Sequence, residues 1–295
     1  MKKGRIAALD IGGTRIKAGL FEDGALVSRR ETDTPAGQGP ARLLEAAGAL
    51  LEEFRPFGAV GVSTAGQVDP GTGVIRYANE NLPGYTGTDV RGYFEERFSA
   101  PCAVLNDACA AALGEGTHGA ARGFADYLCL TYGTGVGGGV VLGGKVYYGA
   151  GGSANPLPGA VLLHPERTRA DDPFAGTYER CASASALVAA ARAADPEIRD
   201  GRGIFARLAE PAVRAAVEGW LDEVTAGLLS LLYAYNVPCA VLGGGVLEQP
   251  MVLEGVQARV RARAIPGFAE AKLAAAQLGN AAGLWGAMEA VRKKL

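Results

Sequence analysis

Early in the chain an unbroken apolar run gives way, after a glycine pair, to apolar residues at every second place. The run Ile6–Leu9 leads to Asp10. After "IGGT", Ile16, Ala18 and Leu20 fall on one side of the chain and Arg15, Lys17 and Gly19 on the other. A period of two is that of a strand. Asp23-Gly24 is a preferred pair for a two-residue hairpin turn, and "ALVSRRE" continues as a third strand. The predicted unit is strand, glycine turn, strand, turn, strand. The plan returns in "YLCLTYGTGVGGGVVLGGKVYYG", where Tyr127 to Tyr132 reaches "GTGVGGG", then "VVL", a Gly143-Gly144 turn and "KVYY". Two such units predict a duplicated domain, one copy on each side of a cleft. A third glycine turn, "AVLGGGV" at 240–246, again follows a short apolar run.

Between these units the period changes. "GPARLLEAAGALLEEF" predicts a helix with Leu43, Leu44, Ala47 and Leu51 on one face. "AVGVSTAGQVDPGTGVI" predicts a strand entering a Ser-Thr-Ala-Gly turn, then a second short strand, and "NENLPGY" is a loop by composition. "TYERCASASALVAAARAA" predicts one helix from Thr177 onward, "EPAVRAAVEGWLDEVTAGLLSLLYAYNV" a long amphipathic one, and "LGNAAGLWGAMEAVRKKL" a last one. The expected division is an N-terminal α/β domain, 1–107, completed by the helix 280–295, and a larger C-terminal α/β domain, 108–279.

Composition narrows the function. A length of 295 residues suits two domains, and 48% hydrophobic with 20% charged residues is globular. A net charge of −2 gives no electrostatic case for nucleic acid or an anionic membrane. No apolar run approaches a membrane span and no signal-peptide core follows the N-terminus, so a cytoplasmic protein is expected. The five cysteines lie far apart without CxxC spacing, and with His118 and His164 the only histidines, no zinc site is expected.

The chemistry sits in the turns. The dinucleotide fingerprint and the P-loop both place a helix after their glycines. Here a strand follows, and neither "GxGxxG" nor "GxxxxGK[ST]" occurs in the first unit. Glycine turns after strands still present backbone N–H groups with no side chain in the way, which suits close approach to a phosphate or nucleoside. In "CAVLNDACAAALGEG", Asn106 and Asp107 stand where a strand meets a helix. Either could simply cap the helix. Alternatively, a carboxylate at the C-terminal edge of a sheet, where ligands of open α/β sheets bind, could accept a proton from a substrate hydroxyl. Glu179 has the same two readings, favourable interaction with a helix dipole or a ligand role.

Taken in order, "LDIGGTRIKAGL", "GVSTAGQVD", "NLPGY", "LNDACAAALGE", "LTYGTGVGGGVVLGGKVYYG", "YERCASASAL", "VLGGGV" and "LGNAAGLWGA" resemble the ROK family (repressors, open reading frames and kinases) over nearly the whole chain. The resemblance implies a duplicated actin-like ATPase fold, related to ribonuclease H, with two α/β domains around a nucleotide and sugar cleft. It also implies phosphorylation of a hexose or amino-sugar hydroxyl by ATP and magnesium, and a homodimer. On matching positions, Asp107 would be the general base. Asn106, Asn81, Gly66, Gln67 and Glu179 would contact the sugar. Asp10 would bind magnesium through water. Gly12, Gly13 and Thr14 would hold phosphate with Gly133, Thr134 and Gly135 opposite, and Gly243, Gly244 and Gly245 would lie against the adenosine. The family's repressors carry a helix-turn-helix before the first glycine motif. Nine residues precede Asp10 here, so the kinase branch is expected.

One segment departs from the pattern. The family follows "GTGxGGG" with "GxAGExGH" and a zinc-binding cysteine cluster, whereas this chain reads "GAGGSANPLPGAVLLHPERTRADDPFAGTYERC". Asn155, Pro156 or Leu157 stands where the sugar-binding glutamate belongs, according to where a one-residue gap is placed. The histidine position falls on Gly159 or Ala160, with His164 out of register, and the cysteine ligands are missing. A hydrogen bond to a charged group contributes about 1.5–3 kcal/mol, enough to change which sugar is taken. The chain is therefore expected to be a sugar kinase with an altered acceptor pocket. The alternatives are a non-catalytic sugar- or nucleotide-binding protein of the same fold and an ATPase acting on a protein. Persistence of Asp10, Asp107 and all three glycine turns favours the kinase over the former, and the sugar-facing "NLPGY" and "LND" favour it over the latter.

Overall fold

A computed structural model describes residues 4–149 and 155–295. Positions 150–154 of the departing segment lie outside the described residues. By contacts the chain divides into two units, Met1–Gly123 with Gly139–Pro156 and Leu278–Leu295, and Phe124–Gly138 with Leu157–Gln277.

The period-two segments form the predicted strands. β1 (Arg5–Ile11), β2 (Arg15–Glu22) and β3 (Ala25–Asp33) make an antiparallel meander. β4 (Ala59–Thr64) and β7 (Cys102–Asn106) extend it in parallel, giving the order β3-β2-β1-β4-β7, while β5 (Gln67–Val68) and β6 (Ile75–Tyr77) form a separate small hairpin. Alternation along the strands divides two cores. Leu9, Ile11, Val60, Val62 and Val104 meet the apolar faces of α1 (Gly39–Glu52) and α2 (Val90–Phe98), including Leu43, Leu51, Phe94 and Phe98. Ile6, Ala8, Ala59 and Ala103 on the other face meet Leu284, Ala287, Met288 and Val291 of α9 (Ala282–Arg292). Because β4 is covered on both sides, all six of its residues are buried, as expected for an interior parallel strand.

The second sheet repeats the plan. β8 (Tyr127–Tyr132), β9 (Val136–Leu142) and β10 (Lys145–Val146) are followed by β11 (Cys239–Gly243) and β12 (Lys272–Ala275), in the order β10-β9-β8-β11-β12, with β8, β11 and β12 parallel. The duplicated α/β fold read from the glycine turns is therefore present. One helix differs from expectation. The run from Thr177 breaks into α4 (Tyr178–Ala182) and α5 (Ala184–Ala194), because Ser183 leaves helical geometry and its hydroxyl accepts the Ala186 N–H. Serine competes for backbone donors in this way. α6 (Gly201–Ala206), α7 (Pro211–Tyr235) and α8 (Pro250–Arg263) complete the helices. α7 opens on a proline that needs no helical N–H. Among the described residues no helix is long and apolar enough to cross a membrane, and the five cysteines are free thiols.

Candidate active site

In the first unit the sheet register assembles the motifs. Ile11 pairs with Thr64 and Thr64 with Asn106, so "DIGGT", "STAGQ" and "LND" end side by side at the carboxyl edge of β1, β4 and β7. α3 (Asp107–His118) starts directly from that edge. Asn106 caps it, its Oδ1 accepting the N–H groups of Ala108 at 3.0 Å and Cys109 at 3.2 Å. Its Nδ2 donates to the Gly66 carbonyl at 2.9 Å and to Asp107 Oδ1 at 2.8 Å. Both readings of the pair are thus compatible, since Asn106 serves as the cap and in doing so orients Asp107. Its amide hydrogens are spent within the protein, which leaves it little capacity for a sugar hydroxyl.

Asp107 Oδ1 also accepts the Ala108 N–H at 2.8 Å. The side chain stays open to solvent, yet the protein atoms around it strip part of its hydration. This desolvation pushes the carboxyl up to about 6, the Asp10 charge adding to the push and the bonds from Ala108 and Asn106 opposing it. Such a group is ionised at neutral pH and close enough to it to exchange a proton.

Asp10 lies near the end of β1. Ser63 Oγ donates to its Oδ1 at 2.8 Å, and Lys17 Nζ donates to its Oδ2 at 3.3 Å and to the Asn280 carbonyl at 3.3 Å. α9 passes so close that a Cβ on Gly283 would stand 2.7 Å from Asp10 Oδ1. Lys17 was not singled out from the sequence, although the hairpin register pairs it with Asp10. Two residues equally distant from a turn face each other, so this partner was legible. In the turn itself, the Gly12 N–H bonds the Arg15 carbonyl at 3.0 Å. Closing the turn uses that amide. The Gly13 and Thr14 amides have no protein partner among the described residues. Asn81 belongs to the same neighbourhood, since a Cβ on Gly13 would lie 3.5 Å from its Cβ. Gln67 is half-buried on β5, opposite Tyr77.

The second unit gathers the remaining candidates. The Gly133 N–H closes its turn on the Gly135 carbonyl at 2.9 Å, repeating the logic of Gly12, and the Gly133 carbonyl accepts the Ala184 N–H at the start of α5. Glu179 packs against this turn, its Oε2 accepting the Val136 N–H at 3.3 Å. α4 is held there by Tyr178, whose hydroxyl donates to the Val224 carbonyl on α7 at 2.8 Å and shares a 2.6 Å bond with Tyr132. Beside it, Gly244 adopts φ +109°, and a Cβ would meet the Tyr132 backbone, 2.9 Å from its nitrogen. Only glycine fits that position. Gly133–Gly135, Glu179 and Gly243–Gly245 therefore form one group, and Asp10, Gly12–Thr14, Gly66, Asn81, Asn106 and Asp107 another.

His164, Cys181 and Glu223 also converge, with ligand atoms within 4.8 Å of one another. None occupies a zinc-ligand position of the family pattern. Glu223 and Glu166 face the two ring nitrogens of His164, at 2.9 Å and 3.3 Å, and these contacts tie the loop after Leu163 to α7.

A sequence model of the ROK family matches residues 6–294. The chain belongs to the ROK family. It is 31% identical over 316 residues to a glucokinase of Streptomyces coelicolor, with 98% of each chain covered. It is 32% identical over 284 residues to an N-acetylmannosamine kinase of Salmonella heidelberg, covering 95% of this chain and 96% of that one. Among solved structures, a ROK glucokinase from Streptomyces griseus in complex with glucose and AMPPNP superimposes with a TM-score of 0.82 at 30% identity, covering 98% of this chain and all of the other. The two sheets described above are accordingly those of the actin-like sugar-kinase fold.

Proposed function

We propose that this ROK protein transfers the terminal phosphoryl group of ATP to a hydroxyl of a hexose, amino sugar or derivative, with Asp107 as general base and an altered acceptor pocket. The observation that carries the reading is the Asp107 carboxylate, fixed through Oδ1 by Ala108 and Asn106 and pushed up to about 6. Oδ2 has no protein partner among the described residues, which leaves it to receive the hydroxyl proton. Kinship with glucokinases and N-acetylmannosamine kinases supports the sugar acceptor, and the AMPPNP complex of one relative supports ATP.

Phosphoryl transfer asks the protein for positioning and charge neutralisation. Gly13 and Thr14, with Thr134 and Gly135, would offer backbone N–H groups to phosphate oxygens. Gly243–Gly245 would lie against the nucleoside, in a turn whose Gly244 admits no side chain. Both oxygens of Asp10 already have protein partners, Ser63 and Lys17, which fits a magnesium ion held through its water shell. That ion would neutralise charge developing on the phosphates. Gly66, Gln67, Asn81 and Glu179 are the remaining proposed sugar contacts, and Asn106 positions the base.

ADP release with magnesium and ATP across hexoses, amino sugars, N-acetylated sugars and glycosides tests the reading, and silence from protein that binds ATP would move it to the non-catalytic alternative. The dependence on pH is a second check. Turnover falls as a proton occupies Asp107, so kcat/KM for the sugar should have an acid limb near pH 6, rising above it. Asp10 adds to the upward push on Asp107, so Asp10→Asn should move the limb to lower pH as well as weaken magnesium dependence. An unmoved limb would separate the two carboxylates. The proposal also includes a cytoplasmic homodimer without zinc. Light scattering should give twice the chain mass, and metal analysis should find no stoichiometric zinc.

A further inference from the structure

The segment that departs from the family pattern contains a buried group whose bonding is incomplete. Asn155 is 8% exposed, and its Nδ2 donates to Asn106 Oδ1 at 3.3 Å. Its Oδ1 is buried and has no hydrogen-bond partner among the described residues. The neighbours fix this orientation. Ala108 and Cys109 offer Asn106 only N–H donors, so the Asn106 atom facing them must be its oxygen. The Gly66 carbonyl can only accept, which places the Asn106 nitrogen on that side. Asn155 must then present its NH₂ to Asn106 Oδ1, since two carbonyl oxygens facing each other would repel. Its own oxygen is left as an obligate acceptor.

Buried acceptors without partners are rare in native proteins, and each calls for an explanation. This one lies a single carboxamide away from the proposed base, because Asn106 bonds both Asn155 and Asp107. The three positions where the glutamate could fall are now distinguishable. Leu157 is apolar and 54% exposed, Pro156 has no polar side-chain atom, and Asn155 alone carries a buried one.

We infer that Asn155 is an acceptor-binding residue, its Oδ1 receiving a hydrogen bond from an uncharged donor of the sugar, a hydroxyl or an amide N–H. The ligand class rests on the sugar-kinase reading. A neutral carbonyl accepts a hydroxyl, though more weakly than a carboxylate does, and it gives a protonated amine no ion pair. The pocket is therefore set for neutral sugars and N-acylated ones over free amino sugars.

Calorimetric binding tests this apart from turnover. The sugars of the panel and their monodeoxy analogues are titrated into wild-type protein and Asn155→Ala. One deoxy analogue should bind about tenfold more weakly than its parent to wild type and no more weakly than its parent to Asn155→Ala. Equal losses in both proteins, or binding of no sugar at all, overturn the assignment. Asn155→Asp supplies a gain that misfolding could not imitate. The analogue carrying a protonated amine at the identified position should improve about tenfold relative to its parent, and an unchanged preference overturns the assignment. Coupled binding without ADP release would keep Asn155 in its role and remove the kinase reading.

Discussion

Asp107→Asn is expected to lower kcat by about 10²–10⁴-fold, the range in which a positioned general base contributes, while leaving the protein more stable than wild type at pH 8. Asparagine keeps an Oδ1 to accept from Ala108 and Asn106, so the first turn of α3 need not move. In place of Oδ2 it has an NH₂ that cannot take a proton from a hydroxyl. The stability change follows from the same displacement. The native carboxyl stands near 6 against an ordinary 3.8, so the folded protein holds this proton more tightly than the unfolded chain does. Its stabilising contribution is fully present below 3.8 and is lost as pH rises through about 6. Above that the native state carries a charge that desolvation and Asp10 both disfavour, and asparagine carries none. The advantage of the variant should therefore shrink on going from pH 8 to pH 5. Steady-state kinetics and urea midpoints at the two pH values check both halves. Wild-type turnover would remove Asp107 as the base, and a lower midpoint at pH 8 would contradict the electrostatics.

Much of the first unit was legible because short-range patterns determined it. The period of two around "DIGGT" gives the hairpin, and the hairpin register pairs Lys17 with Asp10. The exchange of apolar strand for small-residue helix at "VLNDA" puts Asp107 on the first turn of α3. What escaped was set by partners distant in sequence. No periodicity reveals that both Asn106 amide hydrogens are taken, since one acceptor is the Gly66 carbonyl in another strand's turn. The break at Ser183 was hidden because "ASASALVAAARAA" has helical composition on both sides, and a single hydroxyl bond decides where one helix ends and the next begins. Glu179 was placed against its helix dipole or a ligand, whereas its bond to the Val136 N–H depends on α4 being held to α7 through Tyr178. Asn155 needed the whole network around Asn106 before its oxygen stood out.

Gly286→Ala is expected to destabilise the protein by about 1–3 kcal/mol, the usual range for forcing atoms into a packed interior, although alanine is the better helix former. Gly286 lies on α9 against the backbone of α3, and an added Cβ would drive into the carbonyl of Ala110. The fit is equally close on the strand side, where a Cβ on Gly61 of β4 would meet the backbone of Ala287 and stand 3.0 Å from the Met288 nitrogen. These obstacles are backbone and cannot swing aside. α9 would have to retreat from α3, drawing Leu284, Ala287, Met288 and Val291 out of the core and straining the buried Glu289, which pairs with His118 at 2.7 Å and with Arg292. Glu115 of α3 would also pull on the Leu278 N–H that it holds at 2.8 Å. Gly219→Ala is the matched control. Gly219 is an exposed position within α7 where an added Cβ meets nothing within 4 Å, so the same substitution should stabilise by about 0.5–1 kcal/mol through backbone entropy alone. Opposite shifts of the urea midpoint are therefore predicted for one chemical change at two helical sites. Equal shifts would mean that α9 does not lie on α3 as closely as described. Because the carbonyl in the way belongs to Ala110, one turn after Asp107, displacement of α9 should also reach the base, and Gly286→Ala should lose turnover where Gly219→Ala keeps it.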